Sequence, residues 1–192
     1  YNRIVFHKWI IALNALSIGV NVLLTDADVI WLKNPLPGLA QNYSNCSILA
    51  SCEDSLNSET PTWVNTGFMY LRATERTIKF ITAFLRWCEV HETKMQDMDD
   101  QYKWQMFTEK NPSMTNTPIA DADQRCISYS NGASKLDLFM LPRVQYMNFN
   151  HWNEATHTQR SNAITLHYNW LNGLAQKRKN MELRGHWVKQ NN

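Results

Sequence analysis

Two carboxylates one residue apart, Asp26 and Asp28, close the apolar run Val20-Asn21-Val22-Leu23-Leu24. At the exit of a buried strand both can face one divalent cation. Hard cations take oxygen ligands and keep positions open for phosphate oxygens. Asp28 is the candidate direct ligand, with Asp26 binding through water or holding a sugar hydroxyl. The arrangement suggests a site that holds a nucleoside diphosphate through a metal. A bare D-x-D is weak because short acidic turns are common. The apolar strand before it and Val29-Ile30-Trp31-Leu32-Lys33-Asn34-Pro35-Leu36-Pro37 after it make this one far more specific.

Three other places carry side chains of matching chemistry. In His167-Tyr168-Asn169-Trp170-Leu171-Asn172-Gly173 the histidine stands near the end of a strand, and its neutral ring is a candidate third metal ligand. Lys177, ten residues on, is placed to neutralise a diphosphate. Asp99-Asp100-Gln101 opens a helix, where acidic residues complement the dipole, and Asp100 or Gln101 is the candidate contact to a transferred sugar. In Trp63-Val64-Asn65-Thr66-Gly67-Phe68, Asn65 offers donors and acceptors to hydroxyls and Gly67 leaves room beside them. Asp121-Ala122-Asp123 repeats the D-x-D letters without the strand and is read as solvated. Glu53-Asp54 is read as a surface pair, the alternative being an acid on the acceptor side. Tryptophan is abundant, at eight residues; some are candidates to stack on sugar faces, but most are expected in the core or on the domain surface.

These residues must be held by alternating helices and strands. Ile4, Val5, Phe6, Trp9, Ile10, Leu13 and Leu16 recur at helical spacing and stop at Gly19. A strand to Leu24 follows, then a breaker cluster Asn34-Pro35-Leu36-Pro37-Gly38 read as a loop. Strands are expected at Ile48–Ala50, Trp63–Leu71, around Leu136, Leu138 and Met140, and at Ala163–Tyr168. Thr74 is placed to cap a helix to Glu89, with Ile78, Ile81, Phe84, Leu85 and Cys88 on one face. Asp99 or Asp100 caps the next, which carries Tyr102, Met106 and Phe107. Residues 55–61 and 109–133 read as polar loops, and the stretch from Gly173 as a basic, then polar tail (174–192). No repeat or internal boundary divides the 192 residues, which suit one α/β domain.

Composition narrows the class further. With 44% apolar and 19% charged residues the chain is globular in type. A net charge of +2 gives no support to nucleic-acid binding. No window approaches the roughly 20 apolar residues that span a bilayer. The sequence starts without Met, directly in an apolar pattern, and reads as a piece of a longer protein. Four cysteines (46, 52, 88 and 126) form no CxxC pair, and Asn42-Tyr43-Ser44 and Asn45-Cys46-Ser47 are sequons. Together they lean towards a lumenal, oxidising setting. A Cys46–Cys52 bridge is plausible, though three connectivities remain open.

The run Gly19–Pro35 with its D-x-D resembles the signature of the nucleotide-diphospho-sugar transferase family, which includes plant and algal arabinosyl- and xylosyltransferases. Val64-Asn65-Thr66-Gly67-Phe68-Met69-Tyr70-Leu71-Arg72, Asp100-Gln101 and His167-Tyr168-Asn169-Trp170 with Lys177 follow in the family's order. The resemblance implies a GT-A fold (a Rossmann-like α/β domain), a UDP-sugar donor, a glycan or glycoprotein acceptor, Mn²⁺ or Mg²⁺, retention of configuration, and Golgi residence as a type II membrane protein. It carries Asp26, Asp28 and His167 over as metal ligands. Asp26 and Asp28 also serve the donor, Asn65, Gly67, Asp100 and Gln101 the sugar pocket, and Lys177 the diphosphate. Only 25 residues precede Asp26, enough for one helix and the D-x-D strand. The base-binding strands and membrane anchor of such enzymes are therefore expected to be missing from this truncated chain. A non-catalytic carbohydrate-binding relative and a nucleotide-sugar hydrolase are the competing readings.

Overall fold

The computed structural model describes residues 2–41, 46–56, 63–95, 97–110, 115–118, 126–131 and 134–187. The helical periodicity at the start becomes α1 (Asn2–Ser17), which buries Trp9, Ala12 and Leu16 on one stripe. Gly19, at φ 84°, turns the chain into β1 (Val22–Thr25). The acidic turn then leads to β2 (Val29–Trp31). α2 (Leu36–Gln41) follows, then β3 (Ile48–Cys52), β4 (Val64–Leu71) and the long α3 (Glu75–Val90), capped by Thr74 as expected. α4 (Glu92–Met95) and α5 (Asp100–Gln105) come next, with Asp99 accepting a hydrogen bond from the Tyr102 amide as the α5 cap. A π-helical turn spans Met106–Lys110. The remainder is β5 (Thr115–Pro118), β6 (Cys126–Asn131), β7 (Ser134–Met140), β8 (Tyr146–Asn148), α6 (Phe149–Glu154), α7 (His157–Asn162), β9 (Thr165–His167) and α8 (Leu174–Leu183).

Two sheets result. The larger runs β1-β4-β3-β7-β6-β5, antiparallel except for the parallel β3–β7 pair. The smaller runs β2-β9-β8, with β8 and β9 parallel. This mixed α/β architecture agrees with the Rossmann-like class expected from the sequence. β3 and β4 are buried along their whole length, including the polar Ser51, Asn65 and Thr66. Helices α1 and α3 and α5 cover one face of the larger sheet. There Trp9 stacks on Trp104 at 5.2 Å and meets Phe84 edge-on at 5.2 Å, with Phe80 and Phe107 completing the aromatic cluster.

Several expectations are corrected. The segment 109–133 is not simply a loop: β5 and β6 form a hairpin that extends the sheet outward from β7. Backbone pairing at a sheet margin needs no apolar alternation, which is why a polar sequence can form it. Asp121 and Asp123 lie outside the described residues, as do Asn42 and Asn45 of the sequons. The Pro35–Gly38 breaker cluster starts α2 rather than a loop: prolines suit a first helical turn, and Asn34 Oδ1 accepts the Leu36 amide at 3.0 Å. The tail from Gly173 begins with α8, a polar helix whose one buried residue is Met181. Cys46 is disulfide-bonded while Cys52 and Cys88 are free, so Cys46 and Cys52 do not pair. Burial pushes both free thiols up to about 12, which keeps them unreactive. Among the described residues no helix is long and apolar enough to cross a membrane.

Phe84 is fully buried between Trp9, Trp104 and Phe107. Phe84→Ala is expected to lower unfolding free energy by about 3–5 kcal/mol in urea titration. A loss under about 1 kcal/mol would show that this cluster is not the core.

Candidate functional site

Strand register alone assembles the site. β1 pairs with β4 so that Thr25 faces Phe68, and the next amide, Asp26 N, donates to Gly67 O at 2.8 Å. β2 pairs with β9 so that Val29 faces His167, and Tyr168 N donates to Asp28 O at 3.0 Å. The D-x-D turn is thus the junction of the two sheets, closed by Val29 N donating to Asp26 O at 3.2 Å. It brings the imidazole over both carboxylates. His167 Nε2 lies 3.2 Å from Asp28 Oδ1 and 3.8 Å from Asp26 Oδ2.

The remaining oxygen of each aspartate is taken by a lysine. Lys177 Nζ donates to Asp28 Oδ2 at 2.5 Å, and Lys8 Nζ to Asp26 Oδ1 at 3.0 Å. Lys8 also donates to Thr66 O at 3.2 Å and pairs with Asp100 Oδ2 at 2.8 Å, which accepts the Trp9 indole N–H at 3.0 Å. Burial opposes the charge of Asp28, but hydrogen bonds and charge from His167 and Lys177 outweigh it and hold its carboxyl well below the usual range. Burial would lower the Lys8 ammonium, yet attraction to Asp100 and Asp26 raises it. Burial pushes the Asp100 carboxyl up, against Lys8.

The donor set suits a hard divalent ion. Asp26, Asp28 and His167 offer one ligand atom each, all within 4.8 Å of one another. Ligands at right angles around an ion with bonds of 2.0–2.1 Å lie roughly 3 Å apart, and carboxylates with imidazole are compatible with manganese or magnesium. Gly67 makes the approach possible. A β-carbon there would stand 2.3 Å from His167 Cε1, 2.8 Å from Asp26 Oδ2 and 2.9 Å from Asn65 Oδ1. His167 Nδ1 is buried with no hydrogen-bond partner among the described residues. The ring is therefore oriented by packing over Gly67 and not by a hydrogen bond from behind, the usual device for a ligating histidine.

The triad opens into a cleft of about 1290 Å³ that also collects Lys8, Asn65, Asp100, Gln101, Trp170 and Lys177. Asp26, Asp28, Asn65, Asp100, Gln101, His167 and Lys177, all named from the sequence, line this cleft, and Gly67 lies against His167, Asp26 and Asn65. Asp100 and Gln101 do not touch the D-x-D carboxylates directly; Lys8 links Asp100 to Asp26. Lys177 is engaged with Asp28.

Glu53, expected at the surface, is buried at 8% exposure on the cleft wall. Its carboxylate accepts from Asn65 Nδ2, from Asn169 Nδ2 at 2.6 Å, from the Trp170 indole at 2.7 Å and from Asn148 Nδ2 at 3.4 Å, and Gln101 also hydrogen-bonds to it. Burial raises its pKa against these bonds. Trp170 is the one non-glycine residue at positive φ (63°) among the described residues, and the residue is 55% exposed. That backbone costs of order 1–3 kcal/mol, which the bond to Glu53 helps offset. Two residues missed from the sequence left partial signals. Lys8 stands four residues before Ala12 on the buried stripe of α1. Glu53 directly follows a strand buried at every position.

The profile of the nucleotide-diphospho-sugar transferase family matches residues 1–181. This chain belongs to that family. It is 25% identical over 202 residues to the β-arabinofuranosyltransferase RAY1 of Arabidopsis thaliana, covering 97% of the chain and 34% of that protein. It is 24% identical over 197 residues to a UDP-galactose:fucoside α-3-galactosyltransferase of Dictyostelium discoideum, covering 97% of the chain and 28% of the relative. An uncharacterised Arabidopsis protein, At1g28695, is 32% identical over 89 residues, which covers 45% of the chain and 25% of that protein. The chain thus spans about a third or less of these relatives. No solved structure matches it.

Gly67→Ala is expected to displace the imidazole and weaken Mn²⁺ binding at least about tenfold in calorimetric titration, the scale seen when the support of a metal ligand is lost. Unchanged affinity in the folded variant would mean the ion does not sit beneath this ring.

Proposed function

We propose that this chain is the metal-holding part of a glycosyltransferase. It would move a sugar from a UDP-sugar to a glycan or glycoprotein acceptor, with Mn²⁺ or Mg²⁺ held by Asp26, Asp28 and His167. One observation carries the reading. Each aspartate turns one oxygen to a lysine and the other towards the imidazole. That leaves a preformed oxygen–nitrogen pocket open to a cleft of nucleotide-sugar size. The relatives' names, an arabinofuranosyltransferase and a galactosyltransferase acting from UDP-galactose, fit it.

When bound, the ion would supply Lewis-acid stabilisation of negative charge on the leaving diphosphate. The chain's own groups do the rest. Lys177 and Lys8 hold the outer oxygens, so neither carboxylate needs to reorient for a ligand. Lys177 adds positive charge at the cleft rim. Gln101 offers an amide contact to sugar hydroxyls, Asn65 spends its amide on Gly67 and Glu53 and so braces the wall, and Asp100 is held in place by Lys8 and Trp9. No strong base is needed: in front-face attack the acceptor's proton passes to the leaving phosphate oxygen, and configuration is retained. The Cys46 disulfide supports a lumenal setting such as the Golgi.

The test is Asp28→Ala in the full-length protein, with a UDP-sugar panel and products read by mass spectrometry. Transfer is expected to fall at least about 100-fold, the scale of removing one group that stabilises transition-state charge, and to lose its Mn²⁺ dependence. Transfer that survives with unchanged metal dependence overturns the assignment; free sugar without glycosylated product would indicate a hydrolase.

A further inference from the structure

Five carboxylates line the cleft: Asp26, Asp28, Glu53, Asp99 and Asp100. Lys8 is shared between Asp26 and Asp100, Lys177 pairs with Asp28, and Asp99 is exposed and caps α5. Glu53 alone of the five is buried without a lysine or arginine ion pair among the described residues, and charge from His167 favours its ionised form. Every group that donates to it is neutral.

Its surroundings also bear on its protonation state. Asn65 Oδ1 accepts the Gly67 amide at 2.7 Å, Asn148 Oδ1 accepts His151 N at 2.8 Å as the cap of α6, and Asn169 Oδ1 accepts Phe149 N at 3.3 Å. With each amide carbonyl consumed by backbone, each NH₂ must face Glu53. The Trp170 indole can only donate. A ring of donors is matched by an acceptor-only carboxylate, while burial pulls the other way and raises its pKa. The position is close to the metal triad, since Asn65 bridges them: its Oδ1 and His167 Cε1 lie 2.9 Å and 2.3 Å from the same point above Gly67.

We propose that Glu53 is the residue that stabilises positive charge on the transferred sugar ring, with Trp170 as the apolar platform beside it. This rests on the transferase reading above. As the C1–O bond to the diphosphate breaks, its electron pair leaves on the phosphate oxygen and the ring becomes cationic. The acceptor oxygen then bonds to C1 and its proton goes to that phosphate oxygen. Glu53 forms no covalent bond and stays ionised. A fixed, desolvated charge aimed where opposite charge develops requires no reorganisation during the step. Asp100 is less suited, because it is held in an ion pair with Lys8 and by the Trp9 indole.

The test uses binding as well as turnover. Protonated pyrrolidine and piperidine iminosugars mimic the cationic ring, and the corresponding neutral lactams share their shape without charge. In the wild-type protein with Mn²⁺ and UDP, the cations are expected to bind at least about tenfold more tightly than the lactams. Glu53→Gln is expected to abolish that preference and lower kcat at least about 100-fold, while Mn²⁺–UDP affinity stays within about threefold. Glu53→Asp, which keeps the charge, is expected to keep the preference. No preference in the wild type overturns the proposal whether or not Glu53→Gln folds. Loss of Mn²⁺–UDP binding together with activity in a folded Glu53→Gln would make Glu53 a structural brace only. Failure of the wild type to bind Mn²⁺ and UDP at all would instead sink the transferase reading.

Discussion

The imidazole of His167 stands where a side chain at residue 67 would be, and this single close approach joins the two sheets. β4 supplies the gap and β9 the ring, while the turn between β1 and β2 supplies the carboxylates. A sheet normally keeps its side chains at distances set by the pleat. Removing one β-carbon lets a group from another sheet enter that layer. Register then leaves little freedom, since slipping either pair by one residue would turn the acidic or imidazole group to the opposite face.

The charges around this junction balance as pairs. Two lysines face the D-x-D carboxylates, so the region is near neutral before anything binds, apart from Asp100, which shares Lys8. A divalent cation and a doubly charged diphosphate linkage would enter as a second balanced set. Either alone would leave a net charge in a partly buried place, where the interaction is costly to leave unmet. The geometry thus favours joint occupancy, with ion and diphosphate stabilising one another. Glu53 sits outside that balance, with neutral dipoles donating to it and charge from His167 favouring its ionised form. Hydrogen bonds to a carboxylate stabilise it locally but do not cancel its field.

Much of the scaffold was legible because its elements are strongly periodic or capped. α1 and α3 follow apolar stripes, Thr74 and Asp99 cap where their side chains allow, and β1, β4 and β9 fall on the short apolar runs. The D-x-D stands out because an apolar strand delivers it. Nothing in the letters of 115–118 or 126–131 betrays strands, since their pairing is a backbone matter decided by β7. Residues 141–162 carry no clear period, and β8, α6 and α7 emerge only through capping by Asn148 and Thr156 and through pairing with β9. Lys8 and Glu53 escaped for the same reason: a charged residue in isolation reads as solvated, and only long-range partners reveal that it is not. Lys8 reaches Thr66 and Asp100, and Glu53 reaches Asn148, Asn169 and Trp170.

Trp170 connects these levels. A bulky residue in the left-handed region persists only where surroundings over-determine it, and here the determinant is a buried acid on a different strand. Neighbouring Asn169 is held by the same acid and by the first amide of α6. The segment that leaves β9 after the imidazole is therefore clamped within three residues of His167. Clamping there fixes the ring's backbone, which matters because Nδ1 has no partner of its own among the described residues. The buried acid and the metal-facing imidazole are thus mechanically one unit: Glu53 restrains the strand exit, and the exit restrains His167. A site built this way keeps the Asp26–Asp28–His167 group and the Glu53 wall in fixed relation without a direct hydrogen bond between them.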